Sequence, residues 1–389
     1  MVDLSEIASG FRHTASDLIG VGRDRNRQVA IAFGTVAILA ILPFVLHPFF
    51  VFQVTMVLIY AIAIIGLNLL TGFNGQLSLG HAAFYAIGAY TAAIMMNSFG
   101  VSYFWTLPAA AVICFMFAFL FGLPALRLDG VYLALATFAL SVATPQILKI
   151  HLFEQWTGGV QGLVIAKPDA PLGLPLTQDQ WLYFFTLAVT IIMYVAATNL
   201  IRTRTGRAMM AIRDNPLAAR SMGINNPIYK AVTFGVSGLY TGIAGTLGAI
   251  VVQFVAPDSF TIYLSVAFLV GLVVGGVGWL PGAFFGAAFI LFVPNVAEHF
   301  SQGLSGAVYG LMLIVLMLVM PGGFAGAVRI VSSFLKSRPS DPEIARPGFT
   351  QSNEVLLSIR QRSLTGALAA VRKPTAAAVL AWRGDLCLQ

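Results

Sequence analysis

Between Arg27 and Arg127 the sequence contains no Asp, Glu, Lys or Arg, and residues 231–257, 259–297 and 299–328 are equally empty of charge. Only 10% of the chain is charged against 58% apolar, where soluble domains run near a quarter charged and half apolar. A soluble fold of this composition lacks the polar surface to cover its core. Charge is costly in hydrocarbon, so deserts of this length mark a chain built for a bilayer. Cysteine is scarce as well. Cys114 lies in an apolar run and Cys387 near the last residue, which leaves neither a disulfide framework nor metal-ligand spacing. His13, His47, His81, His151 and His299 form no local cluster. No Gly-x-x-x-x-Gly-Lys-[Ser/Thr] phosphate loop occurs, so energy for any transport has to come from elsewhere. No apolar-span interior carries a carboxylate, which counts against the proton relay of a self-powered carrier, although sodium coupling through neutral oxygens stays open. An intramembrane enzyme needs a nucleophile–base or metal constellation, and Cys114 with scattered serines does not supply one.

Apolar runs are what remains. A span needs roughly 20 such residues, fewer where a helix is broken or buried. Ten candidates follow: 29–47, 50–70, 79–97, 104–122, 131–150, 181–200, 231–254, 263–278, 281–296 and 304–320. Arg23, Arg25 and Arg27 precede the first, whose length and missing small-x-small exit predict a retained span rather than a cleaved signal. The net charge of +7 is carried by short segments between spans, which fits a positive-inside bias better than nucleic-acid binding. With the N-terminus in the cytoplasm, all but two of the 22 Lys and Arg fall inside, the exceptions being Lys149 and Lys167. Glu154, Asp169, Asp179, Asp258 and Glu298 then fall outside. The expected fold is therefore an all-α polytopic membrane helix bundle of about ten transmembrane spans with both termini cytoplasmic. It divides into a cytoplasmic segment 1–28, a transmembrane region 29–326 and a basic tail 327–389.

Gly235, Gly238, Gly242, Gly245 and Gly248 recur at steps of three and four, as do the pairs Gly271/Gly275 and Gly282/Gly286. Small residues permit close helix approach in lipid; the same stripe would also serve as a pore-lining face of exposed backbone.

Two segments depart from ordinary span grammar. Residues 66–91 carry the uncharged polar side chains Asn68, Thr71, Asn74, Gln76 and Ser78, punctuated by Gly72, Gly75 and Gly80. Broken helices in transporters offer free N–H and C=O groups to solutes, and a carboxylate suits a helix N-terminus. The break is thus a candidate substrate path, or alternatively a tight cytoplasmic turn. His81 beside it reads as a packed histidine. Residues 201–230 carry Arg202, Arg204, Arg207, Arg213, Arg220 and Lys230 against the single acid Asp214. Asp214–Asn215–Pro216 predicts a helix stop and restart, with Asn215 as cap and Pro216 in the first turn. Leu217 to Met222 form a short helix that Gly223 closes. Helices this brief need a partner surface for stability, unless the segment is a loop facing lipid headgroups.

Together these segments resemble the permease subunits of branched-chain amino-acid ABC importers, of the LivM type. The resemblance rests on Leu67–Gly72, Gly75–Phe84, Gly88–Ala92, Gly130–Thr137, Thr157–Gly159, Gly206–Arg207, Gly223–Ile224, Gly275–Gly278, Pro281–Gly282 and Pro321–Gly323, and it covers residues 28–326. It implies a second, LivH-like permease subunit, two cytoplasmic ATPase subunits that use ATP, an extracytoplasmic solute-binding protein, and residence in the bacterial inner membrane. It implies no catalytic residue, cofactor or metal in this chain. The family's ATPase-coupling motif is Glu-Ala-Ala-x-x-x-Gly. Ala218, Ala219 and Gly223 match it, and Leu217 stands in place of the Glu. Arg207, Arg213 and Asp214 flank it. The implied cargo is a branched-chain amino acid, with urea or short amides as the alternative. The chain also runs over about sixty residues past Pro321–Gly323, where such permeases stop sooner; a flexible or membrane-touching tail is expected there.

Overall fold

A computed structural model of the protein describes residues 34, 38–125, 130–170, 176–300, 310–314, 318 and 323–326. The segments 1–28 and 327–389, residues 29–33 and 35–37 of the first candidate span, most of the candidate span 304–320, and Cys387 lie outside the described residues. What is described is an α-helical bundle. Its helices are α1 (Pro48–Leu67), α2 (His81–Phe99), α3 (Tyr103–Ala125), α4 (Val131–Leu148), α5 (Gln178–Arg202), α6 (Arg204–Asp214), α7 (Pro216–Ser221), α8 (Asn226–Val252), α9 (Ile262–Gly275) and α10 (Gly282–Phe300). A two-residue antiparallel pair, β1 (Leu163–Val164) and β2 (Phe254–Val255), joins two connections at one end of the bundle.

Six of the described helical segments are long and apolar enough to cross a membrane: 48–73, 103–123, 131–148, 178–202, 226–252 and 257–275. Gly282–Val296 is a shorter apolar helix. The candidate at 79–97 corresponds to α2, which has spanning length but a more polar sequence, with most of its residues buried by neighbouring helices. Residues 38–45 are helical, and Tyr183 of α5 donates to the Leu39 carbonyl at 2.7 Å.

The mixed burial explains the composition. α1 and α8 are apolar and largely enclosed, whereas α3, α4 and α5 expose most of their length. Val112, Met116, Leu120, Val131 and Leu135 stand out from α3 and α4, surfaces that lipid or another apolar partner must cover. The glycine stripe of α8 is used for packing. A Cβ at Gly238 would strike Ala118 of α3, one at Gly242 would strike Cys114, and one at Gly245 would strike the Tyr85 carbonyl of α2. Gly275 and Gly282 approach each other backbone to backbone, as do Gly271 and Gly286, which fastens α9 to α10. This is the close approach that substitutes for hydrophobic burial in lipid.

Candidate functional site

The first turn after α1 is widened. Asn68–Phe73 forms a π-helical turn, with the Asn68 N–H shared between the Ile64 and Ile65 carbonyls. Such turns cluster at functional sites because they interrupt a ladder without ending it. Thr71 donates to the Gln76 carbonyl at 2.9 Å, and the Gln76 and Gly75 N–H groups return to Leu70 and Thr71. Gly75 adopts φ 73°, a conformation that side chains rarely take. The chain then runs without regular structure to His81, where α2 begins.

Every side of this break is held by another element. Asn68 is fully buried; its Nδ2 donates to the Trp279 carbonyl at 3.1 Å and its Oδ1 accepts from the Gly278 N–H at 2.9 Å, so it clasps the turn between α9 and α10. A Cβ at Gly72 would collide with Asn68 Oδ1, and the approach of the two turns requires glycine there. Gln76 donates to the Lys230 carbonyl at 3.3 Å. Ser78 accepts from the Gly80 N–H at 3.3 Å. On α4, Thr137 accepts from the Leu79 N–H at 2.9 Å and Ser141 donates to the Leu79 carbonyl at 2.6 Å. Gly80 supplies no side-chain cap to α2; instead Ser265 of α9 accepts from the Ala82 N–H at 2.8 Å. Ser237 of α8 spends its proton on the Gly66 carbonyl at 2.7 Å, so the His81 Nε2 at 2.8 Å carries a hydrogen and donates to it. His81 is fully buried and its Nδ1 finds no partner among the described residues.

The basic segment meets the break directly. α6 and α7 form as the capping residues dictate: the Asn215 Oδ1 accepts from the Leu217 and Ala218 N–H groups at 3.1 Å each, and Gly223 takes φ 83° while the Ile224 N–H returns to the Ala219 carbonyl. Gly206, Ala208, Met209 and Ile212 turn the buried face of α6 to the bundle. Arg213 reaches into the break: its Nη1 donates to the Gly72 carbonyl at 2.8 Å, while Nε and Nη2 hold Asp214 at 2.9 Å. Arg207 donates to the Arg202 carbonyl at 3.1 Å. On α7, Ala219 packs inward and Ala218 is exposed, flanked by Leu217 at 79% and Met222 at 86% exposure. Leu217 on this six-residue helix and Met222, the residue that caps it, thus leave two large apolar side chains in the open.

A cavity of about 400 Å³ lies where the two segments meet, lined by Asn74, Gln76, Leu77, Ile212, Arg213 and Lys230 among others. Asn74 is 2% exposed, and neither its Oδ1 nor its Nδ2 has a partner among the described residues.

A protein-family model described as the permease component of branched-chain amino acid transport systems matches residues 49–317. The chain is 30% identical over 300 residues to the high-affinity branched-chain amino acid transport system permease protein LivM of Salmonella typhimurium, covering 71% of this chain and 69% of that one. The LivM of Escherichia coli K12 matches to the same extent. This chain belongs to that permease family. The LivH permease of Salmonella typhimurium is 26% identical, over 69% of this chain and 91% of its own. The autoinducer 2 import system permease LsrC of Salmonella paratyphi B is 28% identical over 45% of this chain and 52% of its own. No solved structure matches at a significant level.

Within the permease, the path residues picked out by sequence share one break, but each except Asn74 spends its side chain on a neighbouring backbone. The coupling-loop residues occupy the adjoining α6–α7 unit. Sequence reading missed the partners that fasten the break, namely Thr137, Ser141, Ser237, Ser265, Gly278 and Trp279. Isolated hydroxyls in apolar helices carry no signal that separates them from ordinary packing serines.

Proposed function

We propose that the chain is a permease subunit of an ATP-driven importer that moves leucine, isoleucine and valine across the bacterial cytoplasmic membrane. Family membership over residues 49–317 carries this reading. In it, about ten spans leave both termini in the cytoplasm. A LivH-like second permease completes the pore, two ATPase subunits dock from inside, and a solute-binding protein delivers from outside. The charge distribution supports that sidedness. The basic segment 202–230 meets the break at one end, while Lys149 pairs with Asp258 at 2.6 Å and Lys167 pairs with Asp179 at the other.

The α6–α7 unit is the ATPase-coupling element, with Ala218, Ala219 and Gly223 shaping it, Leu217 and Met222 as anchors, Arg213 reaching to the break, and Arg207 and Asp214 on its exposed side. Asn68, Thr71, Gln76 and Ser78 keep the shape of the break as the cytoplasmic part of the substrate path, and Asn74 offers its free amide to it. Arg213 links the two, so a displacement of α7 moves the Gly72 carbonyl and, through Asn68, the α9–α10 turn. The chain acts as a conduit and binds no cofactor; ATP is spent on the partners.

The test is uptake by the complex reconstituted in vesicles. Leucine accumulation is expected only with ATP and the ATPase subunits present, and accumulation driven by this chain alone would overturn the reading. Competition by urea and short amides is the control that discriminates the alternative cargo.

A further inference from the structure

The end of the bundle remote from the Arg202–Lys230 segment holds a second cavity, of about 210 Å³. It lies between Met56 and Tyr60 of α1, Tyr85 of α2, the last turn of α8 at Gly248–Val252, and the stretch from Phe254 to Leu264. α8 is 27 residues long, so about 40 Å separates this cavity from the basic segment.

Its walls are aromatic and free of charge. The Tyr60 and Phe268 rings lie 5.6 Å apart, Tyr85 and Phe260 5.9 Å, and Tyr85 and Phe268 5.8 Å. Apolar cavities of about 150 Å³ accept benzene, so this volume takes a compact solute with a branched aliphatic body. None of the lining residues carries a charge.

Three features point to a polar head on that solute. Tyr85 is 6% exposed and lines the cavity, yet its hydroxyl makes no hydrogen bond to another described residue. Buried phenols ordinarily find a partner. The space for that hydroxyl is made by Gly248, where a Cβ would collide with it. Gln253, which ends α8 beside the cavity, adopts φ 65°, the one positive φ among described non-glycine residues, and strain of this kind persists where structure over-determines it, often at ligand clamps. The last turn of α8, Gly248–Val252, borders the same space, and helix C-terminal carbonyls favour an ammonium.

We propose that this cavity is the subsite that receives an aliphatic amino acid at the outer end of the permease. The hydrocarbon side chain lies among Tyr60, Tyr85, Phe260 and Ala249, with the carboxylate on the Tyr85 hydroxyl and the ammonium at the end of α8. The assignment rests on the importer reading.

The experiment is uptake of radiolabelled leucine and valine by the complete reconstituted complex. Ala249→Leu fills the space, and the leucine-to-valine ratio of kcat/KM is expected to shift toward valine by about tenfold. Tyr85→Phe removes one oxygen without changing shape, and KM for both solutes is expected to rise about fivefold with ATP hydrolysis retained. An unchanged KM in Tyr85→Phe, or an equal loss of leucine and valine uptake in Ala249→Leu, overturns the subsite while leaving the importer reading intact. Failure of the unsubstituted complex to take up either solute overturns that reading and the subsite with it.

Discussion

Asn68 concentrates the problem of polar groups in an apolar bundle. A buried amide has to satisfy both of its ends, and here it does so on one turn, at the Trp279 carbonyl and the Gly278 N–H. Asn68→Ala strands those two backbone groups, and leaving buried groups unpaired costs about 1–3 kcal/mol each. A clear drop in the thermal denaturation midpoint of the purified complex is the expected outcome; an unchanged midpoint would show that the clasp contributes nothing. Arg213 is a different case, because its bond to the Gly72 carbonyl joins α6 to the break while its neighbour Asp214 holds the other side of the guanidinium. Arg213→Ala is expected to leave the complex assembled and hydrolysing ATP while leucine uptake per ATP falls at least about fivefold. Arg213→Lys keeps the charge but loses the planar fork that spans both partners, so it recovers only part of the loss. Equal uptake per ATP in all three forms would remove Arg213 from the coupling route.

Among the elements, α8 decides how tightly the bundle closes. Its glycines face α2 and α3 at distances that admit no side chain, which makes helix contact itself the stabilising interaction. Gly245→Ala places a methyl against the Tyr85 carbonyl and forces α2 and α8 apart, and overpacking of this kind costs about 1–3 kcal/mol or more. Gly100→Ala is the internal comparison. Gly100 ends α2 with φ 61° and nothing within 4 Å, so a methyl meets only backbone strain, worth about 1–2 kcal/mol. The recovered yield of folded protein should fall further for Gly245→Ala than for Gly100→Ala. The reverse order would mean that α8 packs less closely than the structure shows. The α6–α7 unit follows the opposite logic. Its backbone is settled by Asn215 and Gly223, but Leu217 and Met222 are left outside.

Over the whole molecule, polarity separates into two ends. Arg213, Gly72, Gly278 and Lys230 gather at one, while the Lys149–Asp258 and Lys167–Asp179 pairs with the β1–β2 contact mark the other. Ser221→Cys and Asp169→Cys, each in a Cys387→Ser background, are expected to react with a membrane-impermeant thiol reagent from the cytoplasmic and outer faces respectively; Cys114 is buried. Labelling of both from one side would overturn the sidedness.

Much of this was legible in one dimension. Charge deserts announce membrane helices because hydrocarbon penalises every ionised residue regardless of the helix it sits on. The restart at Asn215–Pro216 and the closure at Gly223 were equally readable, since capping is a local matter of a few adjacent backbone groups. The two uses open to the glycine stripe of α8, pore face or packing seam, were separated only by the neighbours that α2 and α3 place against it. Likewise Asn68 and its companions announced a break, yet their partners lie as far as 211 residues away in sequence. Long-range backbone carbonyls leave no mark in composition or spacing. Sequence by itself determined that the chain crosses a membrane and where its helices cap and break, because those follow from local solvation and local hydrogen bonding. Tertiary structure alone decided which polar groups are already satisfied and which, like the Tyr85 hydroxyl and the Asn74 amide, find no partner among the described residues, because that depends on what distant backbone the fold brings within about 3 Å.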